Sequence, residues 1–256
     1  MSKYNLERHR HVWWVWVYLG DAPQRFSQFA GFGDVSEGGT AFVNFPSLPG
    51  DIKENDDLGS PFLTEIALKG CIHELGHAFG LPHNGPLAKG HLGMPLMGAT
   101  IFDFRQRTGT AEKRAYLSGV SAAMLWKHPL FSGTAERRDQ MPTCHLTSLA
   151  VDNRPQGEVV HVRGQLQANI AAHSAVVFDS AAPDQETYWQ KSYVARMAEN
   201  GSFDVTITEP THSRGTLRLV FCFENGVVTG DGQRHGINGA LEKPYLGTPS
   251  GYRLRN

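Results

Sequence analysis

The stretch CIHELGHAFGLPHNGPLAKGHLGMPLMG, residues 71–98, contains four histidines and two methionines. Because His73 and His77 are four residues apart, their imidazoles project from the same face of a helix, one turn apart. Glu74 lies between them in the pattern HExxH, which places two metal-ligating histidines beside a carboxylate. The pattern predicts a helix that carries two ligands of one metal ion and an acid–base group.

A third ligand is predicted just beyond this helix. His83 follows His77 by six residues and cannot reach the same ion if the helix continues. Gly80 lies between them and permits the positive φ angle at which helices often end. Pro82 is consistent with a helix that has already ended. The sequence therefore supplies both the third ligand and the turn that delivers it.

The segment HELGHAFGLPH followed by PLMGATIF resembles the signature of the metzincin zinc endopeptidases, HExxHxxGxxH with a downstream Met-turn. The subfamily is not assigned. The resemblance implies one catalytic zinc ion and a role for each matching residue. These are the zinc ligands His73, His77 and His83, the general base Glu74, the turning residue Gly80 and the Met-turn methionine Met97.

Some positions near the motif compete with it or depart from it. Met97 is preferred to Met94 as the Met-turn residue because its LMG context better resembles family turns. A fourth histidine on zinc would close the coordination position that water needs, so His91 is expected near the cleft or at the surface, with a substrate-contacting role left open. Asn84 after the third ligand and Ala99 after the Met-turn differ from the better-known metzincin groups.

The activity implied by the resemblance is hydrolysis of peptide bonds by a metal-activated water, with Glu74 as general base. The substrate is a protein or peptide, which would bind in extended form beside an exposed strand edge. The segment TAFVNF is the candidate edge strand, although an interior strand fits its pattern equally well. The possible substrate-edge residues are Thr40, Ala41, Phe42 and Val43.

Two other functions are compatible with the motif. One is a catalytically silent, metzincin-like binding or adhesion protein whose β-sandwich carries the interaction. The other is a zinc hydrolase that acts on a non-peptide amide. Retention of Glu74 argues against the silent protein, since a structural zinc site has no need of that carboxylate.

The expected fold has two domains. Residues 1–134 are predicted to form an α+β metzincin-like catalytic domain with a twisted mixed sheet, an active-site helix, a Met-turn and a C-terminal helix. The active-site helix is expected to begin near Pro61, and the second helix to cover residues 110–128. The strand HVWWVWVYL is expected to be covered on both faces. Residues 142–256 carry short turn-punctuated β-type runs, which predict an immunoglobulin-like sandwich of about seven strands.

The composition of the chain argues against some classes of binding partner. The net charge is −1 at pH 7, which does not suggest a surface for nucleic acid. The longest apolar run, about ten residues, is too short to span a bilayer. Family resemblance, rather than a signal peptide in this sequence, predicts a secreted or extracellular protein.

Two further ligands are left open with little support. The acidic residues Asp51, Glu54, Asp56 and Asp57 lie in one polar loop, but their spacing does not match an EF-hand calcium loop. Tyr188 and Trp189 form an aromatic pair that suits a sugar-binding platform. Buried aromatic residues are commoner in sandwiches, so carbohydrate binding by this domain is the less favoured interpretation.

Overall fold

The computed structural model describes residues 11–18, 29–34, 38–45, 68–90, 92–99, 105–108, 111–132, 140–153, 159–181, 187–210, 214–249 and 251–255. The α-helices are α1 (Leu68–Ala78), α2 (Gly119–Leu125) and α3 (Pro129–Ser132). The strands are β1 (Val12–Tyr18), β2 (Phe29–Asp34), β3 (Gly38–Phe45), β4 (Arg105–Thr108), β5 (Ala111–Arg114), β6 (Cys144–Asn153), β7 (Val160–Ala168), β8 (Ala172–Ser180), β9 (Lys191–Arg196), β10 (Ser202–Ile207), β11 (Arg214–Phe223), β12 (Val228–Thr229), β13 (Leu241–Thr248) and β14 (Gly251–Leu254). Short 3-10 helices cover Ala88–Gly90, Thr187–Trp189 and Gly236–Gly239.

The predicted fold class, an α+β metzincin-like domain followed by an immunoglobulin-like sandwich, is wrong. Strands dominate the described residues, where the three α-helices have only 11, 7 and 4 residues. The second long helix predicted over residues 110–128 is replaced in its first part by β5, which pairs antiparallel with β4. Two residues, Gly109 and Thr110, connect these strands, and such a glycine-containing link favours a hairpin over the helix propensity of AEKR.

The helix that does form in this segment begins late and is short. Ser118 is its N-cap, and the Ser118 hydroxyl accepts a hydrogen bond from the Ser121 backbone at the start of α2. For α1, the expected start near Pro61 lies outside the described residues, and the described helix runs from Leu68 to Ala78.

The N-terminal sheet has the strand order β1-β3-β2, with β3 parallel to β1 and antiparallel to β2. The sequence suggested that the first strand would be covered on both faces. In the structure β1 lies at one side of this sheet, and Trp14 and Trp16 on the same face each remain 38% exposed. The apolar character of both faces therefore does not correspond to complete burial of both.

Three glycines bring this sheet into direct contact with the backbone of α1. A Cβ atom on Gly31 would lie 2.0 Å from the carbonyl oxygen of Glu74. A Cβ on Gly33 or Gly39 would lie 2.4 or 1.9 Å from the carbonyl oxygen of Ala78. Since real Cβ atoms do not approach so closely, the absence of side chains at these positions sets the spacing between the sheet and the helix.

The C-terminal part forms two antiparallel sheets. The smaller has the order β10-β7-β6, and the larger has the order β14-β13-β11-β8-β9 with β12 beside β11. These nine strands exceed the seven that the sequence suggested. Apolar side chains from both sheets fill the space between them and make the larger core. They include Val160, Val162, Val205 and Ile207 from the smaller sheet and Val177, Leu219, Phe221 and Phe223 from the larger.

Strands β8 and β11 are buried on both faces. Their second faces contribute to another cluster, which also contains residues from α2 and from the two segments that follow α1. The main members are Val176, Phe178, Val220 and Cys222 from the sheet and Leu81, Met97, Val120 and Met124 from the segments that cover it. The boundary between 1–134 and 142–256 stays a prediction, and residues from both sides of it share this cluster.

Among the described residues, no helix is both long and apolar enough to cross a membrane.

We predict that Gly39→Ala destabilises the protein because its Cβ would collide with the backbone of α1. Overpacking of this kind costs about 1–3 kcal/mol, so the free energy of unfolding in denaturant is expected to fall by at least that amount. Gly119→Ala is the matched control, because its Cβ would meet only Val194 at 3.5 Å. Equal unfolding midpoints for the two variants would contradict the close approach of sheet and helix.

Candidate metal centre

Three histidine nitrogens meet at one point beside α1. The Nε2 atom of His77 lies 3.0 Å from that of His73 and 2.9 Å from that of His83, and the third separation is 3.1 Å. Within the described part of the chain this is the group of His, Cys, Asp and Glu side chains suited to hold a metal ion. Tetrahedral zinc with Zn–N bonds of about 2.0–2.1 Å separates its nitrogen ligands by roughly 3.3 Å, close to the observed spacing.

The hydrogen bonds on the far side of two rings determine which nitrogen faces the centre with a lone pair. Nδ1 of His73 lies 2.8 Å from the carbonyl oxygen of Leu96, and Nδ1 of His77 lies 2.8 Å from that of Leu81. A carbonyl only accepts hydrogen bonds, so both Nδ1 atoms carry the proton. In the neutral rings both Nε2 atoms then present lone pairs to each other, an arrangement that a cation between them stabilises.

Burial keeps these rings neutral. It lowers the pKa of His73 to about 4, partly offset by the hydrogen bond to Leu96. Burial, followed by the neighbouring His77 and His73, lowers the pKa of His83 to about 3. The pKa of His77 is also lowered, chiefly by burial. Neutral imidazole is the form that binds metal, so the site is set for a cation near neutral pH.

The turn that delivers the third histidine is a Schellman motif. The Gly80 backbone N–H donates to the His77 carbonyl oxygen at 2.9 Å, and the Leu81 backbone N–H donates to the Gly76 carbonyl oxygen at 3.0 Å. Gly80 has a φ of 81°, a left-handed value that glycine adopts without a steric penalty. The same turn places the Leu81 carbonyl where the His77 ring donates to it, so one local motif ends the helix and orients a ligand.

Glu74 lies on α1 between the first two ligands and is half-buried. Burial raises the pKa of its carboxyl group, while a hydrogen bond from the Gly31 backbone lowers it. The carboxylate therefore combines a raised proton affinity with a hydrogen-bond partner on β2.

The segment after the ligands lies beneath α1. Met97 is 1% exposed, and its sulfur would be 2.3 Å from a Cβ on Gly76, so the thioether packs on the helix backbone between the two helical ligands. The competing Met94 places its sulfur near Gly98 instead. Met97 thus contacts the ligand helix directly.

Lys69 is a residue whose role the sequence analysis missed. Its side chain is fully buried, and its ammonium group donates to the carbonyl oxygens of Gly98 at 2.9 Å and Ala99 at 3.0 Å. Those carbonyls compensate the cost of burying the charge and tie the methionine segment to α1. The available signal was its position four residues before His73, on the same helical face.

Asn84, noted as a departure from the metzincin pattern, joins the third ligand to its surroundings. Its backbone N–H donates to the Met97 carbonyl at 3.0 Å, and its side-chain amide donates to the Ser121 hydroxyl at 3.2 Å. Asn84 is 1% exposed. The residue therefore connects the ligand loop, the methionine segment and α2.

Two residues that follow β8 approach the ligands from the larger sheet, and the sequence analysis did not place them there. The ring centroid of Tyr188 lies 3.8 Å from that of His83 and 5.9 Å from that of His73. The Gln190 side chain donates to the His83 carbonyl at 2.6 Å. No local pattern predicts this contact, since Gln190 and His83 are 107 residues apart.

The remaining predicted residues lie elsewhere. Thr40, Ala41, Phe42 and Val43 are in β3, which is paired with β1 on one side and β2 on the other. This is the interior position that the sequence analysis left open. His91 and the acidic loop containing Asp51, Glu54, Asp56 and Asp57 lie outside the described residues.

Comparison with known proteins identifies a fold. No family model matches the chain, and no curated protein does either. Similar solved structures include two crystal forms of wild-type OgpA from Akkermansia muciniphila, with 18% and 19% identity and TM-scores of 0.66 and 0.64. A third is catalytically inactive OgpA in complex with an O-glycopeptide substrate, glycodrosocin, with 18% identity and a TM-score of 0.67.

Each match covers 94% of this chain. The chain in turn spans about two thirds of OgpA, 66–67% of its length. At this level of identity the likeness concerns the arrangement of the backbone rather than the chemistry. The chain therefore shares its fold with OgpA over almost all of its length.

Proposed function

We propose that this chain is a zinc-dependent endopeptidase of metzincin type. The observation that carries the proposal is the convergence of three histidine Nε2 atoms, 2.9–3.1 Å apart, on the helix that also carries Glu74. Three neutral imidazoles are the donor set of a catalytic zinc site with one open coordination position. The fold shared with OgpA is consistent with this activity.

Each residue of the site has a separate proposed role. His73, His77 and His83 hold the metal, which when bound supplies a water of lowered pKa and a Lewis acid for the substrate carbonyl. Glu74 takes the proton of the attacking water and passes it to the leaving amine. The hydrogen bond from Gly31 holds the Glu74 carboxylate in one orientation. Met97 gives the ligand helix an apolar base.

An extended peptide is better matched to β2 than to β3. Within the described sheet β2 pairs with a strand on one side only, and Gly31 of this strand contacts both the backbone and the carboxylate of Glu74. A peptide added to the free side of β2 through backbone hydrogen bonds would run close to the acid–base group. We therefore assign substrate strand addition to β2.

The alternative function, a catalytically silent zinc-binding protein, accounts for fewer features of the site. Such a protein needs the three histidines but gains nothing from a half-buried carboxylate with a raised pKa beside them. A hydrolase of non-peptide amides uses the same groups, so only its substrate separates it from a peptidase. Action outside the cell remains a prediction from the family resemblance.

A narrower substrate class follows from one exposed aromatic residue near the metal ligands. Trp189 is 60% exposed, and its backbone lies against Gly85, two residues after the third ligand. A flat, exposed indole suits packing against the face of a sugar ring. Because OgpA was crystallised with an O-glycopeptide substrate, we propose that the peptide cleaved here carries an O-glycan that Trp189 contacts.

The first prediction for the proposed activity concerns the metal. The metal-free protein is expected to bind one zinc ion and to gain about 2.7 kcal/mol of stability at a zinc concentration 100 times the Kd. His83→Ala should weaken binding by about 100-fold or more because it removes a ligand. Exposed His145 provides the control variant His145→Ala, which should bind zinc normally. Titration against a chelator measures these affinities, and normal binding by His83→Ala would contradict the ligand set.

The second prediction concerns the general base. Glu74→Gln should reduce kcat for peptide hydrolysis by about 10²- to 10⁴-fold, because it removes the proton acceptor, while zinc affinity stays unchanged. Glu242→Gln, at an exposed carboxylate paired with Arg218, is the control and should retain full activity. The assay is cleavage of a diverse peptide mixture by the zinc-loaded protein, analysed by mass spectrometry.

Two results of that assay would count against the mechanism. Cleavage that survives Glu74→Gln would exclude this residue as the base. A zinc-loaded parent protein that cleaves neither peptides nor glycopeptides would favour the silent binding protein.

The third prediction concerns the glycan. Trp189→Ala should lower kcat/KM for an O-glycopeptide by about 2- to 10-fold, the equivalent of the ~0.5–1.5 kcal/mol of an aromatic contact. The same peptide without its glycan should be a poor substrate for both proteins. Trp126→Ala removes an indole that is 68% exposed immediately after α2 and serves as the control. Equal cleavage of glycosylated and bare peptide by the parent protein would contradict the glycan requirement.

A further inference from the structure

The third ligand has less local support than the other two. His73 and His77 are fixed by the regular backbone of α1, and their Nδ1 atoms donate to carbonyl groups. His83 follows the helix in a stretch without regular secondary structure that extends to the 3-10 helix Ala88–Gly90. Its position must therefore depend on contacts with other parts of the fold.

Those contacts come from residues 187–190, which directly precede β9. The Tyr188 ring covers one face of the His83 imidazole, with 3.8 Å between centroids and 31° between planes. It also lies nearly parallel to His73, at 5.9 Å and 28°. A ring centroid only 3.8 Å away limits the rotation of the His83 imidazole about its side-chain bonds.

Gln190 fixes the backbone of the same ligand. Its side-chain amide donates to the His83 carbonyl at 2.6 Å, and its side-chain oxygen accepts from the Ser180 hydroxyl at 2.9 Å. Its own carbonyl accepts from the Gly85 N–H at 2.7 Å. Since Gln190 is only 4% exposed, water does not compete effectively for these bonds. The ligand loop is thereby connected to β8 through one side chain.

A second anchor lies further along the ligand loop. The carboxylate of Glu209, which follows β10, accepts hydrogen bonds from the backbone N–H groups of Ala88 at 3.0 Å and Lys89 at 2.7 Å. Lys191 at the start of β9 forms an ion pair with the same carboxylate at 3.3 Å. The loop that carries His83 is therefore held at two points by the C-terminal sheets.

We infer that the 187–190 segment is part of the metal centre and positions its third ligand, with Tyr188 orienting the His83 ring and Gln190 holding its backbone. This rests on the proposed function only in taking His83 as a zinc ligand. Both are positioning residues, because they act through His83. Groups that orient metal ligands typically change metal affinity or activity by about 10- to 100-fold when they are removed.

The test is zinc affinity, measured by competition with a chelator and without any substrate. Tyr188→Ala and Gln190→Ala should each weaken zinc binding by about 10- to 100-fold. Tyr188→Phe keeps the ring and should bind within about threefold of the parent. Gln190→Met keeps the side-chain length without the donor and should behave like Gln190→Ala. Gln167→Ala, at an exposed glutamine on β7, is the control and should bind normally.

A spectroscopic measurement separates positioning from general stability. In the cobalt-substituted protein, the visible bands report the ligand geometry, so they should shift in Tyr188→Ala and Gln190→Met but not in Tyr188→Phe. Unfolding of each metal-free variant identifies any loss of folding. If Tyr188→Ala does not fold, the zinc affinity and the cobalt spectrum of Gln190→Met decide the question.

The inference is overturned if Gln190→Met and Tyr188→Ala bind zinc within about threefold of the parent and leave the cobalt spectrum unchanged. It is also overturned if His83→Ala itself binds zinc normally. Only the second result also removes the proposed ligand set, so a failure of the positioning role is distinguishable from a failure of the proposed function.

Discussion

Three neutral imidazoles whose Nε2 atoms lie 2.9–3.1 Å apart impose the constraint on which the site depends. Lone pairs at that distance repel, and two of the rings cannot relieve the repulsion by changing tautomer, because their Nδ1 protons are committed to carbonyl groups. A cation at the centre would attract all three lone pairs and so replace their mutual repulsion with a favourable interaction. The surrounding structure therefore holds donors in an arrangement that is favourable with metal bound and costly without it.

Several contacts around the three histidines offset the cost of holding their Nε2 atoms close together. The Schellman turn supplies the carbonyl that orients His77, and Lys69 ties the methionine segment under the helix. Glycines let strands β2 and β3 lie directly on the helix backbone, where Gly31 also reaches the carboxylate of Glu74. These contacts are made largely through backbone groups, whose positions vary less than those of long side chains. Such rigidity suits the preorganised metal centre that we propose.

The convergence of the three histidines was easier to predict from the sequence than the fold around it. The separation of His73 and His77 and the glycine before His83 act over less than four helical turns, where local rules are strong. The helix predicted over residues 110–128 was wrong in its first part, because helix propensity was given more weight than the two-residue link that favours a hairpin. Contacts such as that of Gln190 with His83, 107 residues apart, depend on the packing of whole sheets and leave no local signal. For the same reason, the interior position of β3 could not be decided from its own residues.

The burial of β8 and β11 on both faces limits how this chain can change over evolution. One face of these strands closes the sandwich, and the other supports Leu81 and Met97 beside the ligands. A sandwich attached by a flexible linker is free to be exchanged, lost or duplicated without harm to its neighbour. Here an exchange would remove the apolar neighbours of the ligand loop, so the C-terminal sheets cannot be replaced without altering the candidate metal centre.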